Sequence, residues 1–298
     1  MTYRLGIDIG GTKINVGLIR FDGEDISVIA HQRLSVRSLT DIVKELGATA
    51  AALCRKNGVD KSKIELCGVG IPGTVSRDGR RILIAPNLAS LDENLADALS
   101  AQLHLPVSLI QDSRAAAWGE YLFGGGKGFH SVLCFTLGTG IGTGMVLDGK
   151  IYHGALGTSG ELGHVPAVPN GRPCGCGKQG CLEKYCAGGG LDITAAELLG
   201  QGNTARELFE AARCESKTAR EAVKNAVSLL GNAIVAAVNL LSPDCVLFSG
   251  GLCEEGDFIE PLIAYIQSAA YSFGEGPVLK KATLGTLAPM IGAALINA

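Results

Sequence analysis

Short runs of alternating apolar and polar residues open the chain, and longer helical runs follow. Period-two alternation predicts strands over residues 4–9, 14–20 and 27–35. Gly10-Gly11-Thr12-Lys13 separates the first two, and Asp22-Gly23-Glu24-Asp25 separates the second and third, so the three are expected to form an antiparallel meander. A helix is expected from about Thr40, whose hydroxyl offers an N-cap, to Asn57-Gly58. Next come a strand over 65–71, a turn at Pro72-Gly73, a helix over 94–103, a strand over 107–110 and a helix over 113–122. The glycine-rich segment 124–128 is the clearest break in the chain.

Beyond it the pattern restarts, with strands over 130–137, 141–147 and 150–152 around turns at Gly138-Thr139-Gly140 and Asp148-Gly149. Asp8-Ile9-Gly10-Gly11-Thr12 is echoed by Thr136-Leu137-Gly138-Thr139-Gly140, so both halves open with two strands joined by a Gly/Thr turn. Helices over 205–212, 218–241 and 258–271, strands over 245–248 and 278–283, and a closing helix from Pro289 complete an α/β chain.

Composition narrows what such a chain does. Its 298 residues, 47% of them hydrophobic, allow a large core and one or two domains. The apolar run 226–241 includes Ser228, Asn232 and Asn239 and falls short of the ~20 residues that span a bilayer, so it reads as a core helix. A formal net charge of -3 offers no footprint for nucleic acid or an anionic membrane. Met1-Thr2-Tyr3-Arg4 leads straight into a strand and not into a signal peptide. Most of the cysteines lie in apolar runs, which suits a reducing compartment, so small-molecule chemistry in the cytoplasm is expected.

The chemistry concentrates in two places. Residues 163–183 bring His164, Cys174, Cys176 and Cys181 into a loop rich in glycine and proline, the ligand set of a closed tetrahedral zinc site. Buried thiols or a Cys176–Cys181 disulfide are the alternatives, and that disulfide would leave an odd thiol. Four protein ligands leave no position for a catalytic water, so the ion would be structural and would fix the nearby carboxylates Glu161 and Glu183. The second place is the pair of Gly/Thr turns. Such turns can aim successive N–H groups at one anion, and two of them suit a polyphosphate, with Asp8 and Lys13 flanking the first. Neither turn matches the Walker pattern.

Asp8-Ile9-Gly10-Gly11-Thr12-Lys13, Leu137-Gly138-Thr139-Gly140-Ile141-Gly142, Gly160-Glu161-Leu162-Gly163-His164, the Cys174-x-Cys176-x-x-x-x-Cys181 loop and Ser249-Gly250-Gly251 together resemble the ROK family of repressors, open reading frames and sugar kinases. The resemblance covers essentially the whole chain in order. It implies the two-lobed actin-like ATPase fold, ribonuclease H-like, with an interlobe cleft. The implied activity is ATP-dependent phosphorylation of an aldohexose, glucose foremost, at the 6-hydroxyl.

By position, the resemblance makes Asp112 the catalytic base and places Asn87, Gln111, Asp112, Glu161, His164 and Glu183 against the sugar. It gives Asp8, Gly10, Gly11, Thr12, Lys13, Gly138, Thr139 and Gly140 to the phosphates of ATP, and Gly250 and Gly251 to its adenine. Magnesium would accompany ATP, with Asp8 as its partner through water, and zinc would sit in the Cys/His loop. The lobes would be residues 1–112 with a returning helix at 289–298, and residues 113–288, in a homodimer.

One motif departs from the family. Its usual Asn-Asp-x-Asn is here Gln111-Asp112-Ser113-Arg114, which keeps the base and changes the side chain that touches ring hydroxyls in glucose-specific members. Allose therefore stands beside glucose, and N-acetylmannosamine after them. Some relatives carry a DNA-binding helix-turn-helix ahead of the same core. Because the first strand begins within a few residues of Met1, an enzyme is expected here in preference to a sugar-responsive regulator.

Overall fold

A computed structural model describes residues 2–23, 25–35, 41–85, 94–272 and 274–296. Its elements begin with strands β1 (Thr2–Ile9), β2 (Lys13–Phe21) and β3 (Ile26–Ser35), helix α1 (Ile42–Lys56) and strand β4 (Ile64–Ile71). A short pair β5 (Thr74–Val75) and β6 (Ile82–Ile84), helix α2 (Leu95–Leu103), strand β7 (Val107–Gln111) and helix α3 (Asp112–Phe123) follow. Then come β8 (Val132–Leu137), β9 (Ile141–Leu147), β10 (Lys150–Ile151), α4 (Glu183–Cys186), α5 (Gly188–Leu199), α6 (Ala205–Arg213) and α7 (Lys217–Leu241). β11 (Cys245–Ser249), α8 (Gly256–Ala269), β12 (Val278–Lys281) and α9 (Ala288–Ala294) end the chain.

The chain divides into two compact units. The first comprises Met1–Gly128, Gly144–Ser159 and Thr283–Ala298, and the second Phe129–Thr143 and Gly160–Ala282. Residues 113–128 thus fall in the first unit, whereas the resemblance implies a boundary at 112.

In the first unit the expected meander forms, and β1 also pairs in parallel with β4, giving the order β3-β2-β1-β4-β7. Leu5, Ile7, Val16, Val69 and Leu109 of this sheet share a core with Leu46 and Leu53 of α1 and Leu99 of α2. Helix α1 is capped by Asp41, whose carboxylate accepts from the Lys44 N–H at 3.1 Å. The expected cap, Thr40, lies outside the described residues. Helix α9 returns to pack on α3, and the approach is close enough that a Cβ on Gly292 would fall 1.7 Å from the Ala115 carbonyl oxygen. Glu120 of α3 is fully buried and accepts from the N–H groups of Gly125, Thr283 and Leu284, tying the glycine-rich break to the returning segment.

The second sheet has the order β10-β9-β8-β11-β12, and the chain passes from the second unit into the first within β9. Strand β11 pairs in parallel with both β8 and β12. Helix α7 is long and apolar enough by composition to cross a membrane, but here it packs along α6 and α8 with Val223, Leu230, Ile234 and Val238 buried. The sequence pattern gives no sign of α4 and α5. Helix α5 opens on Gly188-Gly189-Gly190, which have poor helix propensity and pack tightly against the chain before them.

Candidate active site

In the first unit, the candidate residues gather at the carboxyl ends of the parallel strands, the end where open α/β sheets place their ligands. Asp8 pairs across to Gly70 of β4, and Ile71 pairs across to Gln111 of β7. With strands about 4.8 Å apart, Asp8 and Gln111 are about 10 Å from each other along this edge. Asp112 follows as the first residue of α3, and its Oδ1 accepts from the Ser113 N–H at 2.6 Å. The backbone cap of α3 is Gln111, which is buried at 7% exposure, so the carboxylate sits at the helix N-terminus where negative charge is favoured. Asn87 lies outside the described residues.

Gly10, Gly11, Thr12 and Lys13 join β1 to β2, closed by a hydrogen bond from the Gly10 N–H to the Lys13 carbonyl at 2.9 Å. Beside this turn, Asn15 donates from Nδ2 to Asp8 at 3.1 Å, and Arg33 donates to the Asn15 side-chain oxygen at 3.3 Å. Burial raises the Asp8 pKa above the ordinary carboxylate value, against the smaller lowering effect of Asn15. Asn15 and Arg33 were not legible as site residues from motif alone. The hairpin register does place Asn15 opposite Asp8.

In the second unit, Thr136 of β8 pairs with Ser249 of β11, which brings the turn at 138–140 beside Gly250 and Gly251. A Cβ on Gly250, whose φ is 96°, would fall 2.4 Å from the Leu137 carbonyl oxygen, so packing alone requires glycine there. One on Gly251 would meet nothing within 4 Å among the described residues. Glu183 reaches the turn from α4, its Oε2 accepting from the Ile141 N–H at 3.0 Å. Gly140 lies so close beneath that a Cβ would stand 2.4 Å from that oxygen. The first N–H groups of α5 complete the brace, Gly188 donating to the Gly138 carbonyl at 2.8 Å and Gly189 to the Thr139 carbonyl at 3.1 Å.

Two residues before Glu183, the Cys/His loop closes. The ligand atoms of His164, Cys174, Cys176 and Cys181 all lie within 4.8 Å of one another. Cys176 Sγ is 3.6 Å from Cys181 Sγ, and Cys174 Sγ is 3.6 Å from His164 Nδ1. A tetrahedral zinc with Zn–S bonds of about 2.3 Å has ligand–ligand edges of about 3.8 Å, so the donor set and its spacing fit that ion. Cys176 and Cys181 are free thiols and no disulfide joins them. Burial first, and then its neighbouring thiols, push the Cys181 thiol up to about 12, a cost that a divalent cation would remove by holding the sulfurs as thiolates.

His164 directs its other nitrogen, Nε2, toward Glu161 Oε2 at 3.9 Å, which links the cluster to the first of the two flanking carboxylates. Arg172 staples the loop to the helices that follow. It donates to the carbonyls of Lys184 and Gly190 at 2.8 and 3.0 Å, pairs with Glu197, and lies over the Tyr185 ring. No motif in the sequence marks that role, because its partners lie 12 to 25 residues away.

The ROK family profile matches residues 4–298. The chain is 32% identical over 314 residues to a glucokinase of Streptomyces coelicolor, covering 99% of this chain and 97% of that protein. Among solved structures, a ROK hexokinase from Thermus thermophilus is similar with a TM-score of 0.84 and 33% identity, over 99% of this chain and 97% of its own. A ROK family glucokinase from Streptomyces griseus, solved in complex with glucose and AMPPNP, gives a TM-score of 0.79 at 31% identity, over 99% and 98% of the two chains.

Proposed function

This chain belongs to the ROK family and has the actin-like ATPase fold of its sugar kinases, and on that premise we propose that it phosphorylates glucose at the 6-hydroxyl with ATP. The observation that carries the reading is Asp112, a carboxylate at the strand-to-helix junction of a chain similar over its full length to glucokinases. In the proposed reaction Asp112 accepts the proton of the sugar 6-hydroxyl as that oxygen bonds to the γ-phosphorus. The bond from the γ-phosphorus to the bridging oxygen breaks, and ADP leaves.

The remaining roles are part of the same proposal. Glu161 and Glu183 accept from the sugar hydroxyls and the Nε2–H of His164 donates to one, with Asn87 and Gln111 as further contacts. Glu183 then serves two ends, since one of its oxygens already holds the Ile141 N–H. The turns at Gly10–Lys13 and at 138–140 receive the phosphates, with Gly250 and Gly251 beside the adenine. Asp8 would hold magnesium through water, and that ion supplies charge neutralisation of the phosphates. Zinc in the Cys/His cluster would fix the loop between Glu161 and Glu183. The buried thiols of Cys54, Cys67, Cys186, Cys245 and Cys253 support a reducing, cytoplasmic setting, and a homodimer is proposed from the family resemblance alone.

Allose is the second reading for the sugar, favoured by Gln111, which is longer than the family's usual Asn and buried at the end of β7. ADP release measured across glucose, allose, mannose, fructose and N-acetylmannosamine tests both. Preference for glucose supports the first reading, and turnover of none of the five overturns the kinase.

A further inference from the structure

The first unit contains a cavity of about 60 Å³ alongside β7, separate from the turn at Gly10–Lys13. Its polar wall carries Arg77, Asp78, Ser108, Gln111, Arg114 and His153. Arg114, in the first turn of α3, is only 2% exposed. Its guanidinium donates to the carbonyls of Gly157 and Ser159 at 2.8 and 2.7 Å, which fixes its position on the wall while leaving its charge in place. Arg77 adds a second guanidinium from the loop after β5, and His153 a third basic group from the segment after β10.

A carboxylate on the same wall stays ionised. Asp78 accepts from the Ser76 hydroxyl at 2.6 Å and from the Arg80 N–H at 3.1 Å, bonds that hold its carboxyl below the usual range. The wall therefore carries two guanidinium charges against one carboxylate charge. Burial lowers the His153 pKa, and the charges of Arg114 and then Arg77 lower it further.

We propose that this cavity binds a small tetrahedral oxyanion, inorganic phosphate or the phosphate group of a phosphomonoester, between Arg77 and Arg114. Size and chemistry agree. At 10–15 Å³ for each water-sized body, a cavity of about 60 Å³ admits roughly four to six, comparable to the five heavy atoms of phosphate. Guanidinium forks match its oxygens, and the Ser108 hydroxyl and the Gln111 amide supply neutral donors. Because Gln111 precedes Asp112 in the chain, an anion here would adjoin the proposed base without depending on the kinase reading.

His153 supplies the reporter. The full chain has five histidines, and His153→Gln identifies its imidazole proton resonance. Inorganic phosphate, and separately glucose 6-phosphate, are titrated at constant ionic strength. The expected result is a saturable shift of the His153 resonance and a rise in its pKa, since an anion favours the imidazolium. In Arg77→Ala, an exposed substitution that leaves the core intact, binding should weaken about tenfold. Saturation by phosphate supports a site for the free ion, and saturation by the ester alone supports one that reads a phosphomonoester. No saturable shift with either anion, or titration of Arg77→Ala identical to the native chain, overturns the proposal.

Discussion

The two Gly/Thr turns carry nearly the same residues and are built in different ways. The first closes on itself through Gly10 and Lys13, with Gly11, Thr12 and Lys13 exposed. The second also closes on itself, Gly138 N–H to the Gly140 carbonyl at 3.0 Å, and is in addition gripped from outside by the Glu183 carboxylate at Ile141 and by the first N–H groups of α5 at the Gly138 and Thr139 carbonyls. A hydrogen bond to a charged partner contributes about 1.5–3 kcal/mol, so the second turn is held in shape before any ligand arrives. Under the proposed nucleotide reading, the second turn is preorganised for a phosphate by these bonds.

The largest expected effect lies outside both turns and calibrates them. Asp112→Asn keeps the shape and loses the proton acceptor, so kcat should fall at least ~100-fold. Affinity for AMPPNP, measured by calorimetry, should stay the same. A mutant retaining more than about a tenth of kcat removes Asp112 from its role.

The bracing of the second turn is tested next through the metal. Elemental analysis should return one zinc per chain, and Cys176→Ser should lose it together with thermal stability, because the loop that ends two residues before Glu183 loses its clamp. Nucleotide affinity should weaken in the same mutant. Full affinity in protein shown to be metal-free would sever the proposed link between loop and turn.

A smaller effect separates the turns directly. Glu183→Ala leaves the Ile141 N–H without its carboxylate, at about 1–3 kcal/mol, and should weaken AMPPNP binding about tenfold, whereas Glu183→Gln, which can still accept, should weaken it less. Gly11→Ala, where a Cβ meets nothing within 4 Å among the described residues, should leave stability within about 0.5 kcal/mol. Equal losses of nucleotide affinity from Glu183→Ala and Gly11→Ala would erase the contrast.

The smallest effect concerns pH. Burial raises the Asp8 pKa, so its contribution to stability is present below the unfolded value near 3.8 and is lost as pH rises through the higher folded value. Asp8→Asn removes a buried charge and should therefore raise Tm at pH 7, with the gain disappearing as pH falls toward 3.8. A gain that persists undiminished at the acidic end would show that burial of the charge is not its origin.

Much of the fold was open to reading because its signals are local. The strands of the meander alternate over a few residues, and the observed β1, β2 and β3 differ from expectation only by a residue or two at their ends. Other elements carry no local signal. Helix α5 begins on three glycines that argue against a helix and are there because a side chain at Gly190 would strike the backbone of Lys184. Helix α1 was legible as a helix, but its cap is Asp41, one residue beyond Thr40. Caps depend on backbone angles that several neighbouring polar residues could satisfy.

The candidate site divides along the same line. The donor set of the Cys/His loop, the two Gly/Thr turns and a carboxylate after β7 are legible in the sequence, because each is a matter of residue type at short spacing. Long-range packing brings Glu183 to a turn 42 residues before it and Arg114 to carbonyls 43 and 45 residues onward. Strand pairing likewise stands Asn15 and Arg33 behind Asp8. The reason is that a hydrogen bond requires two groups within about 3 Å, and over such separations the packing of sheets and helices sets that distance.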